Sequence, residues 1–178
     1  MAGAAANECI YRYPNTQEAA PLWFHDHGLG ITRLSVTAGL AGAYLLGDPF
    51  APRPAGLSEF AIDSEPTIPI VIQDRAFDVN GQLWFDNAGV NPDLHPFWVP
   101  EFLGDTIVVN GKVWPTFGTQ AAPKPAKRYR FLFLNGSNAR TYELALEDAV
   151  TGQAGPPMWI IGTDGGYLDR ATKLDPAA

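Results

Sequence analysis

The segment TIPIVIQDRAFDVNGQLWF, residues 67–85, decides the fold class. It opens with a β-branched apolar run at 67–75, and Asn80-Gly81 then separates two short apolar segments. The same arrangement recurs in TIVVNGKVW, residues 106–114, around Asn110-Gly111. Asn-Gly between apolar runs favours a hairpin, because both central positions of a type I′ turn need positive φ. Two such hairpins predict a mainly antiparallel β protein.

The rest of the chain is also typical of short strands. In KRYRFLFLN (127–135), Tyr129, Phe131 and Phe133 share one face, which we predict to be core. The 18 glycines and 16 prolines leave little room for long helices. We predict a two-sheet sandwich, with a helical turn at 31–37, a turn at 163–166 and further strands at 11–15, 22–27, 42–46, 127–135, 141–146 and 158–162.

Composition and charge exclude several classes of function. The 12 basic and 19 acidic residues give a formal charge of −7, which does not support binding to nucleic acid or to an anionic membrane. No apolar stretch approaches the roughly 18 residues that suggest a membrane span. The opening MAGAAANE does not resemble a secretory signal, so we expect a soluble protein whose compartment the sequence leaves open.

His25 and His27 are the candidate metal ligands. If residues 22–27 form a strand, both imidazoles leave the same face, with their bases about 6.5–7 Å apart. The pair then suits one metal ion or two neighbouring ones, and imidazole binds copper, zinc, iron or nickel. Asp26 would point away or towards the main chain and support the site. The spacing alone leaves open whether these are ligands or two ordinary histidines.

The residues around this pair resemble a known family. LWFHDHGLGITRLSVTAGLAGAYLLGDP (22–49) closely resembles the second histidine motif of multicopper oxidases, especially bacterial and spore-coat laccases and bilirubin oxidases. IPIVIQDRAFDVNGQLWF, DTIVVNGKVWP, KRYRFLFLNGSNARTYELAL and IGTDGGYL are similar to the start of that family's second domain. The resemblance implies a cupredoxin-like Greek-key β-sandwich. It also implies that His25 and His27 each bind one copper of a type 3 pair, in a cluster that reduces dioxygen to water.

Three of the family's four histidine motifs are not found in this sequence, and neither is its type 1 copper motif. Cys9 has no adjacent histidine; we expect a buried or half-buried structural thiol, the alternative being a reactive or copper-capturing one. The resemblance gives His95 no copper role, and we expect it to be structural or solvent-facing. Whether the chain alone is an enzyme is therefore left open.

The resemblance also implies a division into domains. Residues 8–48 correspond to the last strands of one cupredoxin domain and carry the histidine pair. Residues 49–65 form a Pro-rich linker, and residues 66–178 form a second cupredoxin domain without its last strands. We hypothesise that 8–48 pack onto 66–178, within one chain or by a strand swap between two.

Two functions follow as expectations. The first is laccase-like oxidation of phenolic-type small molecules, one electron at a time, coupled to dioxygen reduction. The alternative is a noncatalytic cupredoxin module that binds copper or forms oligomers. Because two histidines are too few for a stable copper site, we expect a homo-oligomer or strand-swapped assembly to supply more ligands. A zinc site is the third possibility.

Overall fold

The computed structural model describes residues 5–47, 67–86, 101–117 and 129–174. These ranges contain eight strands and one short helix, so the all-β class is confirmed. The elements are β1 (Pro21–His25), α1 (Thr32–Thr37), β2 (Ala41–Leu45), β3 (Thr67–Arg75), β4 (Thr106–Val109), β5 (Lys112–Val113), β6 (Arg130–Asn135), β7 (Met158–Thr163) and β8 (Gly166–Leu174). No helix in these ranges has the length and apolarity that a membrane crossing requires.

The largest sheet has four strands in the order β5-β4-β3-β6. Its β-branched strand β3 lies inside, antiparallel to β4 and parallel to β6. The other ladders, β4–β5, β1–β2 and β7–β8, are antiparallel, so the prediction of a mainly antiparallel protein is confirmed. The one parallel pair needs a long connection between its strands, and the 54 residues between β3 and β6 include the β4–β5 hairpin.

Only one of the two predicted Asn-Gly hairpins forms as expected. Asn110 and Gly111 have φ of 48° and 77°, which confirms the type I′ turn between β4 and β5. In the other, Gly81 has φ of 78° while Asn80 is not in the left-handed region. There the Asp78 carboxylate accepts from the Asn80 and Gln82 main-chain N–H groups. The segment closes as a tight turn with one bridge, Phe77 to Leu83, and not as two strands.

Two predicted strands are wrong and one strand was missed. Residues 11–15 and 141–146 lie in no strand. Tyr11 and Tyr13 are exposed, and the only strand-like pairing near 141–146 is the bridge from Glu147 to Ala154. The missed strand is β8, which pairs with β7 across the predicted turn at 163–166. The predicted strand at 42–46 and helical turn at 31–37 correspond to β2 and α1.

The prediction that Tyr129, Phe131 and Phe133 are core is also wrong. Phe131 is 39% exposed and Phe133 is 48% exposed, and Tyr129 is only half-buried. The core lies elsewhere, where α1 meets the end of β3, and includes three polar side chains. Its buried members are Ala20, Val36, Thr37, Ile72, Asp74, Arg75, Ala76, Phe102 and Val108.

The proposed domain division stays a prediction. The linker at 49–65 lies outside the described residues. Within the described ranges, the β1–β2 sheet shares no strand ladder with the other sheets. The helix α1, which lies between β1 and β2 in the chain, accepts side-chain hydrogen bonds from Arg75 of β3 and from Asn138 after β6. Residues 8–48 and 66–178 are therefore in contact.

Candidate metal centre

The histidine pair lies where β1 ends. His25 is the last residue of the strand and pairs with Ala41 of β2. The Asp26 N–H donates to Leu40 O at 3.0 Å, which extends the contact with the chain before β2 by one residue. His27 lies beyond the strand, so the prediction that both histidines are strand residues holds only for His25.

The two imidazoles are nevertheless close together. Their ring centroids are 5.8 Å apart and the ring planes are inclined by 26°. His25 is half-buried and His27 is exposed. The structure therefore brings the predicted pair together at the surface, with the His27 ring accessible from outside.

One hydrogen bond fixes which nitrogen of His25 is free. Nδ1 of His25 lies 2.7 Å from Asp26 O. A main-chain carbonyl can only accept, so in the neutral ring Nδ1 carries the proton and Nε2 has the free lone pair. Metal-binding histidines are commonly oriented in this way: the nitrogen that does not bind the metal donates its N–H to a carbonyl or carboxylate oxygen. Trp23 restricts the same ring further, with a centroid distance of 4.4 Å.

Asp26 supports the turn after the strand, as predicted. Its Oδ2 accepts from the Gly28 N–H at 3.2 Å. Gly28 O in turn accepts from the N–H groups of Ile31 and Thr32 and from the Thr32 hydroxyl, which starts α1. Gly28 gives the Ile31 side chain room here, because a Cβ would lie 2.6 Å from Cγ1 of Ile31 and force that side chain to shift.

The pair fits a metal as part of a ligand set. Among the described residues, no group of three or more His, Cys, Asp or Glu side chains is placed to hold a metal ion. An imidazole-rich copper site normally has three or four ligands. His25 and His27 offer two nitrogens, so a copper site built on them would need further ligands from outside the described ranges.

The exposure of the Cys9 thiol differs from what the sequence predicted. Cys9 is exposed and lies in no strand, so the expected burial of its thiol is wrong. A hydrogen bond with Cys9 raises the pKa of Tyr11. His95 lies outside the described residues.

Sequence reasoning missed a buried polar cluster next to the motif. Asp74 and Arg75, at the end of β3, are 0% and 7% exposed. Arg140 pairs with Asp74, and Asn138 bonds to α1. The available signal was the Gln-Asp-Arg that ends an apolar run, together with Asn-Ala-Arg after the next long strand.

Comparison with known proteins agrees with this picture. The chain is 41% identical over 169 residues to a laccase of Bacillus subtilis, covering 93% of this chain and 30% of that protein. It is 38% identical to the multicopper oxidase LPR1 homolog 1 of rice, over 94% of this chain and 26% of the relative. The chain is a homologue of part of a multicopper oxidase. The predicted family resemblance is therefore confirmed.

Solved structures of multicopper oxidases agree in fold. McoA from Aquifex aeolicus aligns with a TM-score of 0.66 and 32% identity, over 89% of this chain and 31% of that one. A laccase from Pediococcus acidilactici aligns with a TM-score of 0.57 and 34% identity over a similar share. The cupredoxin class is thus confirmed. No protein-family model matches the chain. It spans about 30% of the length of these relatives.

Proposed function

We propose that this chain supplies His25 and His27 as copper ligands of a laccase-type multicopper oxidase. The observation that carries the proposal is the arrangement of the two rings. They lie 5.8 Å apart at the end of β1, and Asp26 O holds the far nitrogen of His25. Homology to laccases and multicopper oxidases favours copper over zinc for this pair.

The chain's own contribution is to present two imidazoles with ring centroids 5.8 Å apart. Asp26 O keeps the proton of His25 on Nδ1, so that Nε2 has the lone pair for a metal. Because the ring centroids are nearly 6 Å apart, the pair suits two neighbouring coppers, one per histidine. When bound, copper would supply the one-electron chemistry that couples oxidation of a phenolic-type substrate to reduction of dioxygen.

The alternative is a noncatalytic module that binds copper or forms oligomers. The exposure of His27 and the lack of a third ligand among the described residues favour a site completed from outside. Those ligands would come from further parts of a longer polypeptide or from a second copy of this chain. A homo-oligomer or strand-swapped assembly would satisfy the second route.

Copper titration tests the ligand assignment. The full chain is titrated with Cu(II) and Cu(I), beside His25→Ala, His27→Ala and the double variant, with His95→Ala as the matched control. Loss of groups that only orient a ligand costs about 10–100-fold in affinity, so loss of a ligand should cost at least as much. His95→Ala should bind like the parent. Equal binding by all four variants, or none by the parent, would contradict the assignment.

Oxygen uptake and molecular size separate the enzyme from the module. Copper-loaded chain is assayed for dioxygen consumption with a phenolic substrate, and its size is measured with and without copper. Uptake that requires His25 and His27 supports the oxidase. Copper binding with a copper-dependent change in size and no uptake supports the module.

A further inference from the structure

Two side chains from the far part of the sequence hold the last turn of α1. Arg75 Nη2 donates to Val36 O at 3.3 Å. Asn138 Nδ2 donates to the Thr37 hydroxyl at 2.6 Å and to Arg33 O at 3.4 Å. The helix that follows the histidine motif is therefore fastened to β3 and to the segment after β6.

Arg75 is unusual because it is a buried guanidinium bonded to carbonyl oxygens. It is 7% exposed, and both of its described hydrogen bonds go to main-chain acceptors, Val36 O and its neighbour Asp74 O. Burial lowers its pKa, and the negative charge of Asp74 opposes that shift. A guanidinium stays charged at physiological pH, so this burial carries a desolvation cost. The bonds to Val36 O and Asp74 O and the Asp74 charge offset that cost.

The helix α1 has no positive charge of its own near its C-terminal end, and Arg75 supplies one. α1 has six residues, no side-chain cap at its start and no basic residue in its last turn. The final carbonyls of a helix carry partial negative charge, which a cation stabilises. Val36 O accepts from the Gly39 N–H at 3.0 Å, and Arg75 occupies its second acceptor position. A helix this short is not stable alone, so its position depends on contacts from outside.

Main-chain hydrogen bonds connect this helix end to the histidine motif. Leu40 N–H donates to Ser35 O of α1, and Leu40 O accepts from the Asp26 N–H. On the other side of His27, Gly28 O binds the start of α1. The residues that flank His27 are thus both tied to α1.

We propose that Arg75 and Asn138 are positioning residues for the metal pair: by holding the last turn of α1, they set where the His25 and His27 rings point. The copper part of this statement rests on the proposed function. The positioning part concerns the metal-free chain as well, because the hydrogen bonds that link Arg75 to the motif need no metal.

The metal-free test uses Arg75→Met, Arg75→Lys and Asn138→Ala, with Arg170→Met as a matched control in exposed β8. Amide hydrogen exchange and the imidazole NMR shifts of His25 and His27 are compared at a temperature at which each variant is folded. Arg75→Met and Asn138→Ala should speed exchange at Asp26, Gly28 and residues 36–40 and shift both rings, while β7–β8 stays unchanged. Arg75→Lys should restore part of the effect. Unchanged rings in folded variants would overturn the proposal.

The second test is Cu(II) affinity with the EPR spectrum of the bound ion. Arg75→Met should weaken binding by about tenfold and alter the spectrum, as loss of a group that orients a ligand does. Lower stability with unchanged affinity and spectrum would show a merely structural role and overturn the proposal. If the parent binds no copper, the proposed function fails while the ring shifts still decide on positioning. If Arg75→Met does not fold, Asn138→Ala and Arg75→Lys give the answer.

Discussion

Arg140 Nε donates to Oδ2 of Asp74 at 3.2 Å, and this ion pair ties three stretches of chain together. The same Oδ2 accepts from the Gly104 N–H at 2.8 Å, and Arg140 Nη2 donates to Gly104 O at 2.7 Å. Asp74 is fully buried. The end of β3 therefore makes hydrogen bonds to two parts of the fold. Asp74 binds Gly104 and Arg140, and Arg75 binds α1.

Removing Arg140 should destabilise the fold strongly. In Arg140→Met the Asp74 carboxylate would stay buried without its ion-pair partner, and its Oδ1 already lacks a hydrogen-bond partner. Breaking a buried pair from one side costs about 3–5 kcal/mol. Because Arg140 is 34% exposed, we expect the lower end, about 3 kcal/mol, in urea unfolding.

A double-mutant cycle checks that the cost comes from the pair. Asp74→Asn keeps an oxygen for the Gly104 N–H but loses the charge. Combined with Arg140→Met, it should cost clearly less than the sum of the two single changes, since neither charge is then left unpaired. Strict additivity would mean that the ion pair contributes little.

Gly104→Ala should be destabilising for a different reason. A Cβ there would lie 2.5–2.6 Å from main-chain atoms of Arg75, which cannot move aside as a flexible side chain can. Overpacking of this kind costs about 1–3 kcal/mol. Thermal and urea unfolding measure the loss. Gly47→Ala is the matched control, because nothing lies within 4 Å of its added Cβ. It should show no loss.

The Asn110 side chain hydrogen-bonds to strand β3 from the β4–β5 turn. Two replacements separate the loss of these bonds from backbone strain at positive φ. Its Oδ1 accepts from the Val71 N–H and its Nδ2 donates to Pro69 O. Asn110→Gly loses these bonds but keeps the positive φ at little cost, so we expect a loss of about 1 kcal/mol. Asn110→Ala adds backbone strain and should lose about 1 kcal/mol more.

Asn80 provides the control position for the two Asn110 variants. It has the same Asn-Gly sequence, but Asn80 does not have positive φ. Asn80→Ala adds no strain at φ and loses one exposed side-chain hydrogen bond to Asp78, so it should change the unfolding free energy by no more than about 0.5 kcal/mol. Equal losses at Asn80 and Asn110 would contradict the assignment of strain to φ at Asn110.

Local sequence patterns correctly predicted those strands and turns that residues close together in the chain determine. The β-branched run at 67–75 forms β3, and Asn110-Gly111 forms the turn that its φ angles require. The i and i+2 spacing predicted His25 and His27 on one face of a strand. The strand ends at His25, yet the two ring centroids lie 5.8 Å apart. The hairpin predicted at Asn80-Gly81 does not form, because the Asp78 carboxylate accepts from the main-chain N–H groups of Asn80 and Gln82. The Asn-Gly pattern alone does not indicate this competing turn.

Features with a non-local cause could not be predicted in this way. The alternation at 127–135 shows that Phe131 and Phe133 share a face, but not whether another layer covers it. Asp74 and Arg75 end an apolar run, where charged residues are usually solvated. Their burial depends on Arg140 and α1, which lie 66 and about 40 residues away along the chain. A single sequence contains no direct sign of such pairings.

The Asp148 turn should make stability depend on pH in the acid range. Main-chain N–H groups of Thr151 and Val150 donate to its carboxylate and lower its pKa from the ordinary 3.8. A carboxyl group with a lower pKa in the folded state stabilises the fold above its unfolded pKa, and this contribution disappears as pH falls through the folded value. Asp148→Asn keeps an acceptor but no charge. The difference in unfolding free energy between parent and variant should be constant from neutral pH to about pH 5 and shrink below 3.8. Urea unfolding measured from pH 7 to pH 2 gives this difference, and a gap that stays the same throughout would refute the role of the charge.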